Sequence, residues 1–266
     1  MIQLYDYQQE LYEKTLDAFR SGYRRPLVVA PCGAGKSYLF AKMVEKANGP
    51  VLILTHRKEL LNQHQELLTK LGVFSNNVRI SMVLTEANQL GKHPTPTFII
   101  LDEAHLSRSN SWVKVIDYYD AKCIGFTATP IRLDGKPLGD IYDVLITGVS
   151  TQWLIDNHRL APFDYYAPLT VDVEGVRKQA GDFVVSELEQ RMTERAIYSD
   201  VLQSWETYAK NQQTIAYCVS VKHAQETAQR FREAGYSSEY LSANRPDRAK
   251  IFHRFARGEI TVLCNV

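Results

Sequence analysis

Four times in the first 130 residues a short apolar run ends abruptly in small, hydroxyl-bearing or charged residues, and this repetition restricts the fold more than any other feature. Leu27-Val28-Val29 runs into Ala30-Pro31-Cys32-Gly33-Ala34-Gly35-Lys36-Ser37, and Val51-Leu52-Ile53-Leu54 into Thr55-His56-Arg57. Phe98-Ile99-Ile100-Leu101 runs into Asp102-Glu103-Ala104-His105, and Cys123-Ile124-Gly125-Phe126 into Thr127-Ala128-Thr129-Pro130. Continuously apolar runs suit strands covered on both faces. A fifth run, Ile80-Ser81-Met82-Val83, also reads as a strand. Helical patterns lie between several of these runs. The clearest spans Arg57 to Leu71, with Leu60, Leu61, His64, Leu67, Leu68 and Leu71 at helical spacing and Gly72 as a stop. Strand alternating with helix predicts an α/β fold with a parallel sheet and right-handed crossovers. The polar clusters then collect at the carboxyl edge, where open parallel sheets bind their ligands.

The chemistry of those clusters is specific. Gly33-Ala34-Gly35 is a turn whose backbone N–H groups can point inward at phosphate oxygens, with the positive end of a following helix behind them. In the pattern G-x-x-x-x-G-K-[ST], Lys36 reaches the β- and γ-phosphates and Ser37 ligates Mg²⁺. Ala30 stands where that pattern has its first glycine. The alternative is a plain glycine turn with a solvated lysine. Asp102 at a strand end can hold a Mg²⁺ shell, and Glu103 beside it can orient and deprotonate an attacking water. Taken alone, the two could equally be solvated acids. With the loop, they supply complementary halves of one reaction.

With 266 residues the chain has room for two domains. After Leu138 the pattern loosens, broken by Gly148, Pro162, Pro168 and Gly175, and regular alternation returns after Thr193. In the loosened stretch Leu169 to Val173 reads as a strand, and Ser186 to Glu189 as a capping box opening a helix. The expected division is a first α/β domain at 1–160, a connecting segment at 161–195 and a partial second domain at 196–266. In the last, strands at Thr214–Val219, Ser238–Leu241 and Ile260–Cys264 alternate with helices at Lys222–Glu233 and Asp247–Ala256. The net charge of +1 excludes bulk electrostatic binding of nucleic acid; such a partner would be held by a few placed groups. No apolar run approaches the roughly 20 residues of a membrane span. The four cysteines, with no C-x-x-C spacing, argue against a zinc site or disulfide framework and for a reducing, cytoplasmic setting.

The ordered set APCGAGKS, THRKEL, DEAH and TATP resembles the superfamily 2 helicases and translocases, whose domains are RecA-like. HRKELLNQ, GFTATPIRLDGKPL and IAYCVSVKHAQETAQRFREAG are similar to the DEAH-like branch that includes RadD-like, XPB-like and type I restriction motors. The resemblance covers essentially the whole chain and admits alanine at the Ala30 position. It implies ATP and Mg²⁺ as cofactors, with Tyr7 and Gln8 as an adenine-sensing element; Tyr5 sits near the place of the family's usual arginine. It implies that His105, Thr127 and Thr129 couple the nucleotide state to domain closure. Thr55, His56, Arg57, Thr85 and Ser220 would touch a nucleic-acid backbone, DNA being favoured over RNA.

Other readings stand beside these. Thr55 and Thr85 could be helix caps or loop hydroxyls. His64 lies on the apolar face of its helix and reads as a packed core histidine. Tyr118-Tyr119 and Tyr165-Tyr166 read as packing residues before base-stacking ones. The family's second motor domain continues into an arginine-rich motif, which this chain is expected to take from a further segment or chain. A fragment with weak ATPase of its own is the expected consequence. The rival readings are a nucleotide-gated scaffold without unwinding and the motor part of a restriction system.

Overall fold

The computed structural model describes residues 1–107, 109–130, 138–166, 174–179, 182–187 and 195–266. The expected strand at Leu169–Val173 and the helix expected to continue past Glu187 lie outside the described residues. The described chain divides into two compact units, Met1–Phe163 and Asp164–Val266.

The first unit is built on a six-stranded sheet of order β3-β2-β4-β5-β1-β6, parallel throughout. Its strands are β1 (Pro26–Val29), β2 (Val51–Thr55), β3 (Val78–Met82), β4 (Phe98–Asp102), β5 (Lys122–Thr127) and β6 (Val144–Thr147). Its helices are α1 (Asp6–Arg20), α2 (Lys36–Lys46), α3 (Lys58–Lys70), α4 (Val83–Asn88), α5 (Asn110–Tyr119) and α6 (Thr151–Asp156). Successive strand residues point to opposite faces, and both faces are covered. Val28, Ile53, Ile100, Ile124 and Phe126 pack under α1, α2, α3 and α6, with Tyr7, Leu11, Phe40, Leu68 and Leu154 among the partners. Leu27, Leu52, Leu54, Ile99, Leu101 and Cys123 pack under α4 and α5, against Val83, Ala87, Trp112, Val115 and Ile116. This double burial is the reason the strand runs are apolar at every position.

Two expectations need correction. Val83, read as the end of a strand, instead opens α4 and is buried with that helix. The stretch after Leu138, read as loosened, supplies β6, which pairs with β1 from Pro26↔Val144 to Val29↔Thr147. As an edge strand it exposes Leu145 and buries Ile146, so it lacks the all-apolar signature of the central strands.

In the second unit, Ser238–Leu241, Val262–Asn265 and Thr214–Tyr217 form a parallel sheet in that order. Trp205, Ala224, Ala228 and Phe231 pack with Val262 and Cys264, and Trp205 Nε1 donates to Thr214 Oγ1 at 2.8 Å. Leu241, Ile251, Ile260 and Leu263 form a second cluster. Tyr166 is stacked on Tyr208, a packing contact. No helix among the described residues is long and apolar enough to cross a membrane.

Candidate functional site

The polar clusters do meet at the carboxyl edge of the six-stranded sheet, with β5 alone between β1 and β4. Ala30 extends the β1–β5 pairing, its N–H donating to Thr127 O at 3.0 Å, and its methyl is buried in the core. Its φ is not positive, whereas Gly33 has φ +81° and Gly35 φ +78°. The loop therefore demands glycine at the two positions of left-handed backbone and tolerates alanine at the first. Gly35 also opens α2, and the first N–H groups of a helix have no carbonyl one turn earlier to bond. Those of Lys36 and Ser37 begin at this loop. The Lys36 ammonium folds back over the loop, donating to Ala30 O at 3.0 Å and Pro31 O at 3.1 Å.

Gln8 and Tyr7 brace the loop from α1. Gln8 is buried; its Nε2 donates to Ala34 O at 3.0 Å and its Oε1 accepts from Tyr5 N at 3.0 Å. Tyr7 Oη donates to the same Ala34 carbonyl at 3.2 Å, and burial raises the Tyr7 pKa, keeping it a donor. A Cβ at Gly35 would collide with Gln8 Nε2. Beside this bracing lies a cavity of about 570 Å³, bounded by Tyr5, Gln8, Gly33, Tyr38, His158 and Arg159 among others. Arg159 holds its guanidinium 4.1 Å from the centre of the Tyr5 ring. Neither His158 nor Arg159 belongs to a sequence pattern; they reach the cavity because α6 packs Leu154 into the core just before them.

At the end of β4 the two acids differ in setting. Asp102 is 6% exposed; its Oδ1 accepts from Glu103 N at 3.0 Å and its Oδ2 lies 2.9 Å from His64 Nε2. Glu103 is half-buried and has left-handed backbone, φ +53° and ψ +51°, strained for a residue with a Cβ. Its Oε2 lies 3.3 Å from His105 Nδ1, which is also 3.2 Å from Thr127 Oγ1. Thr127 Oγ1 spends its own proton on Thr129 O and accepts from Thr129 N. The His105–Thr127 bond therefore needs the proton on His105 Nδ1. Behind this turn, Tyr142 Oη donates to Ser107 Oγ at 3.0 Å and Ser107 Oγ to Ala104 O at 2.6 Å. The Tyr142 ring lies where a Cβ at Gly125 would stand, which explains that glycine.

The expected nucleic-acid residues are placed unevenly. Thr55 is fully buried, its hydroxyl donating to Arg57 O at 3.2 Å. Arg57 is exposed at the start of α3, and Thr85 is exposed on α4. His56 is half-buried, with Nδ1 buried and without a hydrogen-bond partner among the described residues. Burial and the Arg57 charge lower the His56 pKa, outweighing Glu103 and Asp102. In the second unit Ser220 caps the helix Val221–Glu233, its Oγ accepting from His223 N at 3.0 Å. Tyr119 is buried and donates to Glu86 Oε1 at 2.7 Å, with Tyr118 exposed and edge-on against it. His64 packs on Phe40 as its helical face predicts. Its bond to Asp102 is the feature that spacing did not reveal.

The chain is similar in sequence and fold to known proteins. Residues 1–132 match the family described as the type III restriction enzyme, res subunit. A 51.5 kDa protein of a Lactococcus phage (isolate 7-9) is 36% identical over 246 residues, covering 90% of this chain and 54% of the phage protein. The DNA 3'-5' translocase XPB2 of Sulfurisphaera tokodaii is 27% identical over 212 residues, covering 70% of this chain and 46% of that protein. The chain thus spans about half the length of these curated relatives. The Hef helicase domain of Pyrococcus furiosus has the same fold, with a TM-score of 0.51 at 17% identity over 99% of this chain and 86% of that one.

Proposed function

We propose, for a chain that belongs with the superfamily 2 helicases and translocases, that its carboxyl-edge site binds Mg·ATP and hydrolyses it to drive movement along DNA. The observation that carries this reading is the joined set at one sheet edge: a left-handed glycine loop with Lys36 folded over it, a buried Asp102 and an adjacent Glu103. Lys36 would exchange its loop carbonyls for β- and γ-phosphate oxygens, a stronger charge-assisted pairing. The cavity beside Tyr5, Gln8 and Arg159 would take the adenine base, with one Gln8 amide proton and one lone pair left to read its edge.

The donor set suits Mg²⁺, which keeps much of its water and takes one or two protein oxygens with substrate phosphates. Ser37 offers a hydroxyl, and each Asp102 oxygen, having accepted one protein bond, retains a lone pair for a water or the ion. Bound with the nucleotide, the ion would neutralise phosphate charge as the leaving group departs. Glu103, oriented by His105, would take the proton of the attacking water. His105, Thr127 and Thr129, already hydrogen-bonded to one another, would relay the state of Glu103 to β5. His56, Arg57, Thr85 and Ser220 are the proposed backbone contacts, and buried Thr55, bonded to Arg57 O, would support the His56-Arg57 turn. DNA is the proposed track because the Sulfurisphaera tokodaii relative is a DNA translocase by name. The family description favours one second reading, the motor part of a restriction system.

The test is Mg·ATP hydrolysis with and without single- and double-stranded DNA and RNA, beside Lys36→Ala. DNA-stimulated turnover that vanishes in Lys36→Ala supports the reading. A parent chain that fails to bind ATP overturns it, and preference for RNA corrects the track.

A further inference from the structure

We infer that His64 is a positioning residue for the metal-binding carboxylate: it locks Asp102 in the rotamer that presents its free lone pairs to a nucleotide-bound divalent cation. The inference deepens the proposed function and rests on that reading of Asp102 as the Mg²⁺-side acid. The His64 and Asp102 side chains are 7% and 9% exposed, and their 2.9 Å separation is that of a full hydrogen bond. The carboxylate can only accept, so the imidazole Nε2 carries the proton. The contact joins residues 38 positions apart, from the middle of α3 to the last residue of β4.

The imidazole is itself held. Its ring packs at 5.2 Å against Phe40, which rests at 4.5 Å on Phe126. Phe40 lies on α2, three residues after Ser37, and Phe126 immediately precedes Thr127. One wedge of aromatic side chains therefore sets His64 against the helix that opens at the phosphate loop, the β5 end and Asp102 together. With Glu103 N on Oδ1 and His64 on Oδ2, rotation about the Asp102 side chain would break two bonds in a buried setting. Outer-shell donors of this kind hold a ligand's direction, and their removal typically weakens metal affinity about 10- to 100-fold.

Four variants separate positioning from mere packing. His64→Leu keeps an apolar body against Phe40 and removes the donor. His64→Gln restores a donor near the Nε2 position, and His64→Asn is too short to do so. Leu68→Ala empties a buried site on the same helix without touching Asp102. Two readouts are taken on folded chains: fluorescent ADP binding in excess chelator, and Mn²⁺ affinity of the ADP complex by electron paramagnetic resonance.

The expected result is metal-free ADP binding unchanged throughout, Mn²⁺ affinity about 10- to 100-fold weaker in His64→Leu and His64→Asn, and near-parent affinity in His64→Gln and Leu68→Ala. Parent-like Mn²⁺ affinity in His64→Leu overturns the inference, as does equal weakening in Leu68→Ala. If His64→Leu does not fold, the Gln–Asn pair decides, and equal Mn²⁺ affinity in the two overturns it. A parent chain that binds ADP with no metal dependence overturns the Mg²⁺ reading beneath it. A parent that shows that dependence while His64→Leu does not differ leaves the wider reading standing and removes His64 alone.

Discussion

The two units are built alike and finished differently. Both alternate parallel strands with helices, and both bury their strands under Leu, Ile, Val and aromatic side chains. In the first, strands end in Lys36 and its loop, Thr55-His56, Asp102-Glu103 and Thr127. In the second, they end at Tyr217-Cys218, Leu241-Ser242 and Asn265, without a carboxylate or an ammonium at the strand tip. The shared core explains the fold; the strand tips carry the proposed chemistry. Fold and proposed reaction thus fall to different residues of the same element, and substitutions can separate them.

The largest separation is expected at Glu103. Glu103→Gln keeps the size of the side chain and its oxygen toward His105, so nucleotide binding and melting temperature should hold while turnover falls about 10²- to 10⁴-fold. Parent-like turnover would place the general base elsewhere. The opposite separation is expected from Trp205→Ala. It removes a 7%-exposed ring that contacts Phe231 and Tyr236 and bonds Thr214, a loss of about 3–5 kcal/mol. Hydrogen exchange should speed up in the Thr214–Tyr217 strand while ADP affinity is unchanged; loss of ADP affinity would show that the units are not separable.

Arg159→Ala sharpens the comparison within the first unit. Losing the cation over Tyr5 should weaken ADP binding by about tenfold, a difference of about 1.4 kcal/mol, with no change in metal dependence. An unchanged affinity would move the base out of that cavity. The smallest effect is expected for Tyr142→Phe, which deletes one buried donor to Ser107. About 1 kcal/mol of stability should be lost in chemical denaturation, with the Gly125 packing intact.

Much of this was readable from the chain. The central strands announced themselves because a sheet covered on both faces needs apolar residues at every position, and the strand-end motifs named the acids, the lysine and the loop. β6 escaped because an edge strand with an exposed Leu145 carries only half that signal. α1 was legible as a motif rather than as a helix, since its buried face is largely Tyr7, Gln8, Tyr12 and Thr15. His64 was legible as buried and not as bonded. Helical spacing says which face a residue occupies, but its partner is set by how α3 crosses the end of β4. Arg159 follows α6 with no pattern of its own, so only the packing of Leu154 brings it to the cavity.

If Glu103 is the general base as proposed, its left-handed backbone sets heat resistance against activity at a single position. Glycine or asparagine would occupy that conformation with less strain. A library of this protein screened only for survival at high temperature should therefore enrich replacements at position 103 while enriching inactive clones. The same library screened for turnover should restore glutamate there, at the cost of a lower melting point.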